Sequence, residues 1–89
     1  ELAIAFWDVS PRQPLHILVV PKLHYSNVAE LTLNDEASLL AVMKLGSELA
    51  LEHAEESFRL SFNTGAAAGQ TVFHAHGHLT SRTPSGDLV

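Results

Sequence analysis

Three histidines stand at every second position near the end of the chain: His74, His76 and His78. Residues two apart in a β-strand point to the same face, so these imidazoles would form one row. Burying three imidazoles without partners is costly, which makes an ordinary core role the weaker explanation. The spacing favours a site in which the row does chemistry.

A metal site is one interpretation of this row. Imidazoles bind zinc well, and neighbouring histidines on one strand face can meet at a single ion. On a regular strand, however, the Cα atoms of His74 and His78 would lie about 13 Å apart, which disfavours one ion shared by all three. Two of the three with His16 or His24 would be a more natural ligand set. Because no Asp or Glu flanks the row, we expect no metal and no other cofactor.

Nucleophilic attack on phosphorus is the second interpretation. A neutral imidazole can take a group from phosphorus and release it again, which divides one displacement into two easier steps. Neighbouring histidines can supply protons and hydrogen bonds near neutral pH. The loop at residues 63–69, NTGAAAG, precedes the row. Its amides could bind phosphate oxygens, with the Asn63 and Thr71 side chains as further donors.

The distribution of charge is compatible with an anionic ligand near the histidines. The net charge of −5 argues against a nucleic-acid polymer as partner. Seven of the ten acids lie between residues 30 and 56, whereas residues 9–29 and 57–86 contain none. A phosphate could approach these two acid-free stretches without meeting carboxylates.

Length and composition limit the class of protein. The 89 residues support one domain, which we expect to span residues 1–89. The chain opens at Glu1 without a methionine, which leaves open whether further N- and C-terminal segments belong to the full protein. It contains no cysteine, so disulfides and thiolate metal sites are excluded within it. No apolar run approaches the ~20 residues that span a bilayer, so we expect no membrane association and a cytoplasmic location.

The elements that would position the histidines follow a β-β-α-β-β order. Strand patterns cover residues 2–8, 15–20, 58–63 and 71–79. A proline-rich turn makes the first two an antiparallel hairpin. Thr32 and Asp35 resemble a capping box, and apolar spacing predicts a helix over residues 33–55, with 22–31 as a connection. Gly46 inside this helix predicts a close approach to the sheet. The fold class is therefore α+β, with one long helix packed on an antiparallel sheet.

Several segments resemble the histidine triad (HIT) superfamily, and most of all its Hint branch of nucleoside phosphoramidases. The similar segments are residues 70–78 (QTVFHAHGH), 6–11 and 14–22 in the hairpin, and 62–65 before the small-residue loop. This resemblance covers nearly the whole chain. It implies a HIT-like fold and a homodimer formed through the long helix and the neighbouring strand.

The resemblance also implies roles in catalysis and phosphate binding. His76 would be the nucleophile that takes the nucleotidyl group, and His16 and His74 would orient it. The residues that would hold the α-phosphate or assist the leaving group are His78, Asn63, Gly69 and Thr71. Without the resemblance, His16 could equally be a core histidine.

Nucleoside recognition follows from the same resemblance. Asp8 would bind the ribose hydroxyls, although it could instead cap the proline-rich turn. The residues that would line the base pocket are Phe6, Val9 and Leu18, all of which could otherwise be core residues. We expect the two remaining histidines, His24 and His53, at the surface.

We therefore expect a hydrolase or transferase that acts at the α-phosphate of a purine nucleotide derivative, such as a nucleoside phosphoramidate, through a nucleotidyl-histidine intermediate. A dinucleoside polyphosphate hydrolase would use the same His76 chemistry with another leaving group. A nucleotide-binding module with little turnover and a metal-binding protein are the alternatives from other classes. Gly77 and Thr80 depart from the family pattern of bulky apolar residues, and Gly77 is expected to leave a gap behind the histidines.

Overall fold

The computed structural model describes residues 1–54 and 57–82. Its elements are β1 (Ala3–Trp7), β2 (Leu15–Pro21), α1 (Val28–Asn34), α2 (Glu36–His53), β3 (Arg59–Ser61), a 3-10 turn (Ala66–Ala68) and β4 (Gly77–Ser81). The strands form one antiparallel sheet in the order β1-β2-β4-β3, and α2 packs on it. The predicted α+β class is confirmed. In the described part of the chain, no helix is both long and apolar enough to cross a membrane.

The predicted hairpin of β1 and β2 is confirmed, with Phe6 opposite Leu18. The pairing continues past β1, because the amide of Asp8 donates to the carbonyl of His16 at 3.0 Å. A carboxylate oxygen of Asp8 then accepts the amide of Ser10 at 2.8 Å. Asp8 thus caps the proline-rich turn, as an aspartate commonly does where the chain leaves a strand.

The helical region is broken at Asp35, whereas the sequence predicts one helix. Asp35 has a non-helical backbone (φ −155°, ψ 77°), ends α1 and caps α2. Its carboxylate accepts the amide of Ser38 at 3.0 Å and the Ser38 hydroxyl at 2.8 Å, and it also accepts the hydroxyl of Tyr25 at 2.9 Å. These bonds replace the helical hydrogen bonds lost at the break. The predicted helix end near residue 55 lies outside the described residues.

The first helix has its own cap, so the prediction of a plain connection over residues 22–31 is wrong. Asn27 accepts the amide of Glu30 through its side-chain oxygen at 2.9 Å, which is the usual N-cap bond. The predicted capping role of Thr32 is also wrong. Its hydroxyl donates to the carbonyl of Val28 at 2.7 Å, inside α1.

The core lies between α2 and one face of the sheet. Its buried side chains include Leu15, Ile17, Val19 and Leu79 from the sheet and Val42 and Ala50 from α2. A Cβ atom built at Gly46 would lie 3.2 Å from Leu60 and 3.8 Å from Val19. The predicted close approach of helix and sheet at Gly46 is therefore confirmed.

No gap lies behind Gly77, contrary to the expectation from the sequence. A Cβ atom at this position would lie 2.8 Å from Cζ of Phe62 and 3.0 Å from Cδ1 of Leu60. Such distances are shorter than van der Waals contact. The Phe62 ring therefore fills the space that a side chain at position 77 would occupy.

Candidate functional site

The sheet face away from α2 presents the site residues in two cross-strand rows. Across the four strands, one row consists of Phe6, Leu18, His78 and Ser61. The next row consists of Asp8, His16, Thr80 and Arg59. Strand residues two apart share a face, so both rows project from the same side of the sheet.

The histidine row predicted on one strand is only partly formed. β4 begins at Gly77 rather than at residue 71, so His74 and His76 lie in the loop before the strand. The rings of His76 and His78 remain neighbours, with centroids 4.9 Å apart. The prediction of a regular row over residues 71–79 is wrong, because residues 70–76 are held by contacts with the segment after β2.

Those contacts join the histidine loop (residues 70–76) to the segment at residues 21–26. The amide of Ala75 donates to the carbonyl of Tyr25 at 2.6 Å. Nε2 of His74 donates to the carbonyl of Pro21 at 2.9 Å, so its Nδ1 is left to accept a hydrogen bond from Nδ1 of His24 at 3.2 Å. His24, expected to be a plain surface residue, is exposed but holds His74.

The tautomer of His76 follows from its partner. Nδ1 of His76 lies 2.8 Å from the carbonyl oxygen of His74. A carbonyl can only accept a hydrogen bond, so Nδ1 carries the proton and Nε2 keeps a free lone pair. The contact of His74 with His76 is thus made by its backbone carbonyl.

A second chain of hydrogen bonds fixes His16 and His78. The amide of Arg12 donates to Nδ1 of His16 at 3.1 Å, which places the His16 proton on Nε2. That Nε2 lies 3.0 Å from Nδ1 of His78 and 3.4 Å from a carboxylate oxygen of Asp8. Nδ1 of His78 therefore accepts, and its Nε2 carries a proton. His16 is only 3% exposed, and its contact is with His78, the neighbour of His76.

His78 is held in its neutral form. Burial lowers the pKa of His78 from its usual value, and the charges of His76, His16 and Arg12 lower it further, while that of Asp8 opposes them. A neutral imidazole with a protonated Nε2 can donate a hydrogen bond from that nitrogen near neutral pH.

The small-residue loop at residues 63–69 is closed by Gln70, which is 3% exposed. The side-chain oxygen of Gln70 accepts the amide of Gly65 at 2.8 Å. Its side-chain nitrogen donates to the carbonyls of Ser26 at 2.6 Å and Val72 at 3.0 Å. Gly69 adopts a left-handed backbone with φ of +97°, which favours glycine. No role was predicted for Gln70 from the sequence. Its partners are all backbone groups, which carry no residue-type signal, and Ser26 is also distant in the chain.

Two cavities flank His76. A polar cavity of about 240 Å³ is lined by His16, His76, His78, Asn63, Gly69 and Thr71, among others. An apolar cavity of about 270 Å³ is lined by Phe6, Leu18, Val20, Val72, His74 and His76. His76 borders both, so it stands between an apolar pocket and a ring of polar donors.

Two residues predicted to contact the nucleoside, Val9 and Asp8, do not line the apolar cavity. Val9 is 97% exposed and lines neither cavity, because it lies in the turn beyond β1. Asp8 stands at the edge beside His16. Sequence reasoning missed Val20, on the strand that carries Leu18, and Val72, in the histidine loop; neither position has a residue type that signals chemistry.

Asp8, His16 and His78 also form a group that could hold a metal ion, since their ligand atoms lie within 4.8 Å of one another. Hydrogen bonds already account for this geometry, because Nε2–H of His16 faces an acceptor on each of the other two residues. The sequence analysis overlooked Asp8 as a possible ligand because it is far from the row in the chain.

A model of the HIT domain family matches residues 1–85. The chain belongs to the HIT family. It is 42% identical over 80 residues to an uncharacterized HIT-like protein of Synechococcus elongatus, covering 89% of this chain and 70% of that protein. It is 33% identical over 91 residues to the purine nucleoside phosphoramidase of Escherichia coli, covering 100% of this chain and 76% of that protein.

The fold of this HIT domain is shared with solved relatives. A HIT family hydrolase from Clostridium thermocellum superimposes with a TM-score of 0.82 at 42% identity, covering 91% of this chain and 72% of the other. The resemblance inferred from the sequence is thereby confirmed at the level of family and fold.

Proposed function

We propose that this HIT protein hydrolyses, or transfers from, the α-phosphate of a purine nucleoside phosphoramidate, with His76 as the nucleophile. The observation that carries the proposal is the tautomer of His76: its Nδ1–H is bound by the carbonyl of His74 at 2.8 Å, so the Nε2 lone pair is free for attack. The similarity to the phosphoramidase of E. coli supports this choice of substrate.

The two cavities fit the two ends of such a substrate. The apolar cavity beside Phe6 and Leu18 offers burial to a flat base. The polar cavity offers the side-chain donors of Asn63 and Thr71 to the phosphate oxygens. Gly69 also lines it, but its amide is bonded to the carbonyl of Ala66 at 3.0 Å. Because His76 borders both, a nucleotide that spans them would bring its phosphorus to the imidazole.

The reaction would take place in two displacements. In the first, Nε2 of His76 forms a bond to phosphorus, and the bond from phosphorus to the leaving nitrogen breaks. The departing nitrogen keeps the electron pair and takes a proton from solvent water, while Nε2–H of His78 donates a hydrogen bond beside it. In the second step water attacks phosphorus and releases its proton to solvent, and the bond to His76 breaks, which returns the electron pair to Nε2 of His76. The carbonyl of His74 stabilises the positive charge on His76 between the steps.

Asp8 is proposed to bind the ribose hydroxyls in addition to capping its turn. One of its oxygens accepts from Ser10, and the other lies beside His16. A carboxylate oxygen can accept more than one hydrogen bond, so both roles are compatible.

Trapping of the intermediate tests the proposal. Adenosine 5′-phosphoramidate is mixed with the protein and quenched at mildly alkaline pH, since a phosphorus–imidazole bond is labile to acid. We expect mass spectrometry to place an adenylyl adduct on His76. His76→Ala should lower turnover by several orders of magnitude while changing AMP affinity by less than about tenfold, because the loss falls on the transition state.

The matched control is His53→Ala, which removes a histidine outside both cavities and should retain turnover. An adduct on His74 or His78, or full activity of His76→Ala, would contradict the assignment. Binding of AMP without any turnover would instead favour a nucleotide-binding module.

A further inference from the structure

The polar cavity continues beyond the histidines into a second cavity on the same side of the sheet. Gln13, Arg59 and Thr80 line both, and the second cavity extends to Arg82. We call the region lined by Gln13, Arg59, Thr80 and Arg82 the arginine groove.

The strand register explains where the arginine groove lies. Thr80 on β4 is the partner of His16 on β2 and of Arg59 on β3. It is also two residues from His78 on the same strand face. A group that extends from phosphorus past His78, away from the apolar cavity, would therefore next meet Thr80 and Arg59.

Positively charged side chains line this path. The chain has three arginines, and all of them line one or both of the two cavities: Arg12, Arg59 and Arg82. Among residues 1–54 and 57–82, no Asp or Glu lines either cavity. No ion pair within those residues involves an arginine. At His78 the charge of Arg12 lowers the pKa, and the larger effect of the Asp8 charge raises it.

The nucleotide itself does not explain these arginines. In the proposed function, the side chains of Asn63 and Thr71 in the polar cavity would already donate to its α-phosphate. A simple amine as leaving group needs no cation beside it, and a protonated amine would be repelled. Guanidinium groups that have no acidic partner among residues 1–54 and 57–82 favour an anion along this path, since arginine binds carboxylate and phosphate oxygens through paired N–H donors.

We infer that the arginine groove binds an anionic group carried by the leaving group, a carboxylate or a phosphate, and that Arg59 sets this preference. This inference rests on the proposed function and narrows it. The favoured substrates are then nucleotides whose departing amine is itself acidic, such as an amino acid.

A matched pair of substrates tests the inference. The two substrates are the adenosine 5′-phosphoramidates of glycine and of glycinamide. They differ only in that the first carries a carboxylate where the second carries a neutral amide. We expect the wild-type protein to show kcat/KM at least about tenfold higher for the glycine compound, the usual value of one charge-assisted hydrogen bond. Arg59→Gln should bring the ratio of the two values close to one.

Lys44→Gln is the matched control, since it removes one positive charge from α2 and Lys44 lines neither cavity. It should preserve the wild-type ratio. A third compound, the phosphoramidate of aminomethylphosphonate, distinguishes the two sources of the anion. A higher kcat/KM for the aminomethylphosphonate compound than for the glycine compound would indicate a leaving group that carries a phosphate. A higher kcat/KM for the glycine compound would indicate one that carries a carboxylate.

The possible failures can be told apart. Equal kcat/KM for the glycine and glycinamide compounds in the wild type would overturn the inference and leave the proposed function intact. A preference that survives Arg59→Gln would overturn the role of Arg59. If no phosphoramidate were turned over, the proposed function would fail, and binding would still test the groove: Arg59→Gln should weaken ADP binding more than AMP binding. Equal weakening would contradict the inference.

Discussion

Each imidazole at the site has its proton placed by a different neighbour. A backbone carbonyl fixes the proton of His76 on Nδ1, and a backbone amide fixes that of His16 on Nε2. His78 then takes its tautomer from His16. Two adjacent histidines therefore present opposite functions, a lone pair on His76 and a donor on His78.

The lowered pKa of His78 gives a testable pH dependence. Because burial lowers it below the usual value of 6.5, the unfolded chain binds a proton on this imidazole at pH values where the folded chain does not. The contribution of His78 to the free energy of unfolding is therefore complete above pH 6.5. It is lost as the pH falls through the pKa of His78 in the folded protein. An NMR titration should give a midpoint below pH 6.5 for the chemical shifts of the His78 ring.

Arg12→Gln should move this midpoint upward, because the charge of Arg12 is one cause of the shift. Lys44→Gln, on the helix, should leave it in place. A midpoint at or above 6.5 in the wild type would show that the His78 environment is more polar than the structure indicates.

The role of Asp8 can be separated from its turn-capping bond to Ser10. Asp8→Asn keeps an oxygen that can accept this amide but removes the charge that would bind ribose hydroxyls. A charged acceptor contributes roughly 1.5–3 kcal/mol, so AMP affinity should fall about tenfold or more. Calorimetry should show a much smaller loss for 2′,3′-dideoxy-AMP; equal losses for both ligands would leave Asp8 as a turn cap.

At the scale of elements, Gln70 joins three segments: the loop before it, the histidine loop and the segment after β2. Gln70→Met keeps the side-chain length but leaves the amide of Gly65 and the carbonyl of Ser26 without this partner. The free energy of unfolding should fall by about 1–3 kcal/mol. Because the histidine loop would lose its anchor, kcat should fall in addition, beyond what the lost stability explains.

Unfolding in urea and steady-state kinetics on the folded fraction measure the two effects. Asn34→Ala is the control, since it removes a side-chain amide that donates to the carbonyl of Glu30 within α1 and lines none of these cavities. A variant with lowered stability and an unchanged kcat would limit Gln70 to a structural role.

The sequence predicted elements with a clear local signal better than those that depend on distant contacts. Apolar, aromatic and β-branched residues, bounded by prolines, were enough for β1, β2 and their hairpin. The break at Asp35 was missed because a lone aspartate looks like an acid within a capped first turn, and the bonds from Tyr25 and Ser38 are formed only in the fold.

The same limit applies to the site. Residue types pointed to His76, His78, Asn63 and Thr71, and the structure gathers them around one cavity. Alternating histidines predicted a strand through position 74, but bonds from the segment after β2 keep that stretch out of the sheet. Arg59 carries no local signal; only the pairing of β3 with β4 places it beside Thr80.

At the scale of the whole molecule, α2 leaves apolar side chains uncovered. Leu40, Met43 and Leu51 are exposed on it, while its other side covers the sheet. A domain of this size buries only about 60–65% of its surface alone, so we propose a homodimer through this face. Light scattering at tens of micromolar should give twice the monomer mass.

Met43→Glu should shift this dimer to monomers, because it places a charge in an apolar interface. Val9→Glu is the control, since Val9 is equally apolar but lies in the exposed turn after β1. A wild-type monomer at these concentrations, or a dimer unaffected by Met43→Glu, would contradict the proposal.

The contact between Gly77 and Phe62 means that two positions on neighbouring segments share one volume. Bulk can be supplied from either position but not from both, since a Cβ atom at 77 would already lie 2.8 Å from the Phe62 ring. Gly77→Leu should therefore lower the free energy of unfolding by about 1–3 kcal/mol, the usual cost of overpacking. Adding Phe62→Ala to it should recover much of that loss in urea unfolding, although Phe62→Ala alone should destabilise by leaving a cavity. HIT sequences with a large residue at the position of Gly77 should have a small residue at the position of Phe62. In this protein, the same compensation should appear as a non-additive double-mutant cycle.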